Sequence, residues 1–267
     1  MATSMATTTA ADGATLAYDV IGDEAFSGVI VLVHGITECG ATWDPVINRL
    51  APGRNVVTVD LRGHGSSERK PPYDVFTMAN DLRSVIEELD VDDALLVGHS
   101  LGGMVVTAYA AAGHPARGIV NVDQPLDTTA FKAALGTLEP MLRGTPEEFA
   151  SAIEMAFSLM YDPLPTAEQA RVRATESPEQ DVVLGVWDLV FSTSTDDLAA
   201  LSDTFAKAIK TPYLSLHGSD NPEYEDWLRA RVPDLTYEVW PDHGHFPHLV
   251  DPDRFVARVE AFEQECT

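Results

Sequence analysis

The sequence predicts an α/β protein built around a largely parallel sheet, on three observations. Short apolar, β-branched runs alternate along the chain with segments whose apolar residues recur at helical spacing. The alternation breaks once, from residue 126 to about 208, where only helical patterns occur. Finally, Gly98-His99-Ser100-Leu101-Gly102 stands between an apolar run and a run of small residues, where a strand turns into a helix.

The strands can be taken in order. "TLAYDVIG" (15–22) alternates and predicts an edge strand, whereas "GVIVLVHG" (28–35) is continuously apolar and predicts a buried central one. "NVVTVD" (55–60), "ALLVGH" (94–99), "GIVNVD" (118–123), "TPYLSLHG" (211–218) and "LTYEVW" (235–240) complete the set. Helical spacing fills the intervals at about 43–51, 76–90, 101–112, 223–232 and 252–264. Residues 1–13 are polar and Thr-rich, show no signal-peptide pattern, and predict a flexible tail. The expected organisation is a core of residues 14–125 and 209–267, interrupted by a helical insertion at 126–208. In an open parallel sheet, ligands bind beyond the carboxyl ends of the strands. An insertion leaving after 118–123 would roof that crevice as a cap.

A length of 267 residues suits one large α/β domain. The formal charge of −25 argues against nucleic acid or an anionic membrane as a partner, since both are polyanionic. No apolar run reaches the roughly 18 residues that a membrane span needs. The two cysteines, Cys39 and Cys266, suggest no disulfide framework and favour a reducing, cytoplasmic setting. No HExxH or CxxC spacing appears, so neither a metal nor a cofactor is expected. The expected partner is a small molecule, and the expected state a monomer or homodimer.

Ser100 is the first chemical candidate. A serine on a sharp strand-to-helix turn exposes its hydroxyl at the top of the sheet, and flanking glycines let the two elements pass closely. Acyl chemistry also needs two N–H groups aimed at the developing oxyanion. Leu101 N–H, just after the serine, is one; Ile36 N–H, in the loop after His34-Gly35, is the other. His34 itself reads as a residue that shapes this loop. The base comes from "WPDHGHFPHLVDPDRF", where Gly244 gives His245 backbone freedom and so favours it over His243 and His248.

Together, "VLVHG", "DLRGHGSSERK", "GHSLGG" and "DHGHFPHLVDPDRF" resemble the α/β-hydrolase superfamily, over nearly the whole chain from Thr15 to Phe262. The resemblance implies a mostly parallel sheet of about eight strands, flanked by helices, with a helical cap. It also implies a catalytic Ser-His-Asp set in the order serine, acid, histidine. Family members most often carry the acid in a Gly-x-x-Asp loop before the last strand. Here "LHGSDN" puts Asn221 at that position and Asp220 one residue early. A second family location, used by haloalkane dehalogenases and zearalenone-type lactone hydrolases, matches Asp123. Asp123 and Asp220 therefore both stay open, with Asp127 and Asp251 behind them. Asp60, Arg62 and His64 read as loop-shaping, with Arg62 paired to a carboxylate.

The expected reaction is hydrolysis of a small or medium carboxylic ester or lactone through an acyl-enzyme on Ser100. His99, Leu126 and Phe246 are expected to line the pocket, and Phe149, Met155, Phe157, Leu159 and Met160 to pack the cap or touch substrate. A cofactor-free haloperoxidase (perhydrolase) or a C–C bond hydrolase is the alternative on the same triad. From another class, a ligand sensor on a hydrolase scaffold would show negligible turnover. A serine at the nucleophile position argues against a dehalogenase or an epoxide hydrolase, which use aspartate there.

Overall fold

The computed structural model describes residues 2–22, 28–51 and 54–266. Eight strands form one sheet: β1 (Ala2–Thr9), β2 (Thr15–Gly22), β3 (Val29–Val33), β4 (Asn55–Val59), β5 (Leu95–His99), β6 (Gly118–Val122), β7 (Tyr213–His217) and β8 (Leu235–Val239). Their spatial order is β1-β2-β4-β3-β5-β6-β7-β8. β1 with β2 and β2 with β4 pair antiparallel; every other pair is parallel.

The seven strands expected from hydrophobic runs are all present, and β1 is an eighth. The tail expected at residues 1–13 is thus corrected over 2–9, while Met1 lies outside the described residues. β1 pairs in full register with β2, from Ala2 opposite Gly22 to Thr9 opposite Thr15. The segment carries little apolar surface, so a hydrophobicity pattern passes over it. Its threonines are β-branched and suit a pleated edge, and the open edge of β2 supplies a complete ladder of backbone partners.

Helices α1 (Asp44–Leu50), α2 (Val75–Glu88) and α3 (Leu101–Ala111) lie between the early strands. Six helices follow β6: α4 (Thr129–Gly136), α5 (Glu139–Leu142), α6 (Pro146–Phe157), α7 (Thr166–Thr175), α8 (Gln180–Ser192) and α9 (Thr195–Ala208). α10 (Pro222–Arg229), α11 (Pro247–Val250) and α12 (Pro252–Glu265) complete the chain. No strand interrupts the region between β6 and β7, as the helical spacing there predicts.

The period-two alternation of the strands divides the core between two faces. Val31, Val33, Val57 and Leu96 pack with Met78 and Leu82 of α2 and Val105 and Val106 of α3. Ile30, Leu32, Val56, Leu95 and Val97 pack with Ile47 and Leu50 of α1 and Phe255 and Val259 of α12. Covering both faces explains why these strands read as continuous apolar runs. No helix among the described residues is long and apolar enough to cross a membrane.

The topology also locates the crevice. From β3 the chain moves outward to β4, then returns past β3 to β5 and proceeds the other way to β6. Loops leaving β3 and β5 therefore diverge, which opens the sheet between their carboxyl ends. Val33 and Gly98 are register partners there, so the loop after His34 and the turn at Ser100 are neighbours.

Candidate active site

Ser100 occupies the turn between β5 and α3 with φ 49° and ψ −122°. Positive φ is rare for a residue with a Cβ, and its strain persists only where neighbouring structure enforces it. Here Ser100 N–H donates to Val122 O on β6 at 3.0 Å, which clamps the turn to the sheet. The turn is tight enough to require glycine at Gly98: a Cβ there would lie 2.2 Å from Gly102 O. Gly98→Ala is accordingly expected to cost about 1–3 kcal/mol of stability through overpacking, measurable as a lower urea midpoint at unchanged slope.

Asp123 follows β6 and also has positive φ, 54°. Its Oδ2 accepts from His245 Nδ1 at 2.8 Å, and its Oδ1 accepts from Gly218 N–H at 3.0 Å. His217 Nδ1 lies 3.6 Å from Asp123 Oδ1, and its Nε2 is 2.8 Å from Ser215 Oγ. Burial pushes the Asp123 carboxyl up, but hydrogen bonds and charge from His217 and His245 outweigh it and hold the group below the usual carboxylate range. The folded state thus binds this proton more weakly than the unfolded chain does. The stabilisation is complete above the unfolded value of about 4 and is lost as pH falls below it. Asp220 is exposed on the loop after β7.

His245 is partly buried and donates through Nδ1 to the carboxylate, which leaves Nε2 as its accepting nitrogen. Gly244, at φ 56°, permits the turn that brings it inward, and a Cβ on Gly244 would lie 2.5 Å from Pro163 Cγ. The helical insertion therefore rests directly on the histidine loop. The competing histidines are otherwise engaged. His243 Nδ1 donates to Pro241 O at 2.8 Å, and His248 is fully buried beside Trp43, with ring centroids 4.5 Å apart.

Ser100, His245 and Phe246 line one narrow pocket, together with Ile36, Thr37 and Glu38 from the loop after β3 and Phe157, Met160, Tyr161 and Glu176 from the insertion. Neither Ile36 N–H nor Leu101 N–H is donated to another described residue. Leu101 opens α3, where first-turn amides have no intrahelical acceptor and the helix dipole favours negative charge. The insertion is tied to the β3 loop by Ser177 N–H donating to Thr37 O at 2.7 Å and by Arg171 donating to Ala41 O and Thr42 O, both at 2.9 Å.

Other expected residues fall elsewhere. His99 is fully buried beneath the pocket instead of lining it, because its ring is held by its own polar contacts. Leu126 is also absent from the lining: it is buried in the core, its amide donating to Tyr224 Oη at 2.9 Å. Of the apolar insertion residues, Phe157 and Met160 reach the pocket, Phe149 is buried, and Met155 and Leu159 are exposed. His34 accepts from Leu61 N–H at 3.0 Å and donates to Gly35 O at 2.7 Å, a loop-shaping role. Arg62 forms two-pronged ion pairs with Asp12 and Asp81. Among the described residues, no group of three or more His, Cys, Asp or Glu is arranged to hold a metal ion.

Five pocket or near-pocket residues escaped the sequence reading, Thr37 and four with ionisable side chains. Glu38 was visible as a charged residue in an otherwise uncharged loop, and His217 as a polar residue ending an apolar strand. Tyr161 and Glu176 carry no such signal, since only folding of the insertion brings them to Ser100. Tyr161 Oη donates to Glu176 Oε1, and burial raises both groups above their ordinary values.

Comparison with known proteins gives a consistent result. A model of the alpha/beta hydrolase family matches residues 30–258. The chain is 31% identical over 244 residues to the 2-(acetamidomethylene)succinate hydrolase of Mesorhizobium japonicum, covering 86% of each chain. It is 28% identical over 262 residues to the non-heme chloroperoxidase of Burkholderia pyrrocinia, covering 88% of this chain and 91% of the relative. The crystal structure of an esterase from Rhodococcus sp. ECU1013 superposes with a TM-score of 0.76 at 26% identity, covering 99% of this chain and 100% of that one. With a family match over most of its length, a mostly parallel eight-stranded sheet and a serine at its strand-to-helix turn, the chain belongs to the alpha/beta hydrolase family.

Proposed function

We propose that the protein hydrolyses small, uncharged carboxylic esters or lactones through an acyl-enzyme. The observation that supports this best is the 2.8 Å His245–Asp123 hydrogen bond at a pocket that Ser100 lines from its strained turn. His245 Nε2 takes the Ser100 hydroxyl proton as Oγ attacks the acyl carbon. Ile36 and Leu101 N–H groups receive the oxyanion, each such donor being worth about 10²–10³ in rate. The same proton goes to the leaving alkoxide, so the alcohol departs and the ester to Ser100 remains. Water then gives a proton to His245 and its hydroxide to the acyl carbon, releasing the acid and restoring the serine. Asp123 keeps His245 in the tautomer this sequence requires.

Phe157, Met160 and Tyr161 of the insertion crowd the space beside Ser100 and favour short acyl groups. The pocket lining favours neutral ones, since no described Lys or Arg faces it to pair a substrate carboxylate. The succinate named for the Mesorhizobium relative is a dicarboxylate and finds no described Lys or Arg partner in this lining. In a panel of p-nitrophenyl esters and lactones, hydrolysis should require Ser100 and be fastest with short neutral acyl groups. A hemisuccinate ester should show kcat/KM at least about tenfold below the butyrate, a cost of about 1.4 kcal/mol. If no ester or lactone is hydrolysed in a Ser100-dependent way, the reading fails, and a ligand sensor on this scaffold takes its place. The chloroperoxidase relative supports a second reading, in which hydrogen peroxide replaces water and the acyl group leaves as a peracid. Peracid formation from peroxide and acetate, lost in Ser100→Ala, would distinguish it.

A further inference from the structure

Below the pocket floor lies a polar contact that the proposed reaction does not use. His99 is fully buried and Glu38 only 5% exposed. His99 Nε2 lies 2.9 Å from the carbonyl oxygen of His245. A carbonyl only accepts, so Nε2 carries a proton. His99 Nδ1 faces Glu38 Oε1 at 3.6 Å, within ion-pair distance. A carboxylate and an imidazole lone pair would repel at this range, so a second proton belongs between them. Glu38 Oε2 also accepts from Gly35 N–H at 3.1 Å, which favours the ionised carboxylate and places the proton on Nδ1. Consistent with this, burial pushes the Glu38 carboxyl up but the charge and contact of His99 bring it below its ordinary value. Two other histidine rings lie against His99, with centroids 4.7 Å away for His245 and 4.6 Å away for His248, and burial together with His99 charge holds His248 neutral.

We propose that Glu38 and His99 form a buried ion pair that joins the two loops of the site, aligning Ile36 N–H through Gly35 and His245 through its carbonyl oxygen. Both are positioning residues, and this role rests on the serine-hydrolase reading above. The chain of contacts runs from Gly35 N–H to Glu38, to His99, to His245 O. It couples the oxyanion donor to the base across the sheet opening between β3 and β5. Misplacement of either group by about 1 Å can cost roughly 10²-fold in rate.

The test has two independent readouts. In ¹⁵N-histidine-labelled protein at neutral pH, His99, assigned through His99→Phe, should show both ring nitrogens protonated. A neutral-imidazole pattern overturns the ion pair whether or not esters are hydrolysed. With p-nitrophenyl acetate, Glu38→Ala should lower kcat by about 10²-fold with KM changed far less. A pocket-charge role alone would move KM instead. Glu38→Gln offers an oxygen to Gly35 N–H and an N–H to a neutral His99, and should exceed Glu38→Ala in kcat at least tenfold. Equal kcat in Glu38→Ala and Glu38→Gln, or a kcat for Glu38→Ala within twofold of the native protein, overturns the positioning role. Absence of Ser100-dependent hydrolysis in the native protein would instead overturn the function, with the spectrum still deciding the pair.

Discussion

Ser100→Ala is expected to lower kcat on short neutral esters by about 10⁴-fold or more, because in the proposed reaction it removes the atom that is acylated. Its cost to folding should be small: the turn is held by Ser100 N–H donating to Val122 O and by the fit of Gly98 against Gly102, neither of which involves the hydroxyl. Residual rate from the oxyanion donors and binding should remain above that of water. Rapid-quench mass spectrometry supplies the direct check. The native protein should gain the acyl mass on the peptide containing Ser100, and the variant should gain none. Hydrolysis by Ser100→Ala at near-native rate would sink the nucleophile assignment. A native protein that acylates once and then stalls would point to the sensor reading.

Asp123→Asn is expected to cost about 10⁴-fold in kcat, while Asp220→Asn stays within about twofold. The reason is the direction of one hydrogen bond. Asp123 accepts from His245 Nδ1–H, so Nε2 is free to take the serine proton. An asparagine amide turned toward His245 donates instead, which reverses the tautomer and points Nε2–H at Ser100. Asp220 is exposed on the loop after β7 and has no hydrogen bond or ion pair with His245 among the described residues. The two variants should keep the native circular dichroism spectrum so that the comparison reports chemistry. A large loss in Asp220→Asn with a small one in Asp123→Asn would overturn the assignment.

Much of this architecture was legible from the chain. β3, β5 and β6 lie between two helical layers, so they must be apolar on both faces and stand out as unbroken runs. The Ser100 turn was legible because its geometry restricts the residues that fit there. β1 was not, since its stability comes from backbone pairing with β2, and pairing leaves no hydrophobic pattern. His99 and Leu126 neighbour Ser100 and Asp123 in sequence, yet neither lines the pocket. A residue next to a strand end can face the core as readily as the crevice, and these two face the core.

By itself, then, the sequence determined the fold class, the order of the strands along the chain, the strand-to-helix turn that carries Ser100 and the histidine-rich loop, because each depends on local pattern and spacing. The contact of His245 with Asp123, the burial of His99 against Glu38, and the meeting of Tyr161 and Glu176 with Ser100 belong to the tertiary structure. All three depend on which strand ends lie side by side and on how the insertion folds back over them. Those are contacts between residues far apart in the chain, and neither periodicity nor motif spacing encodes their distance.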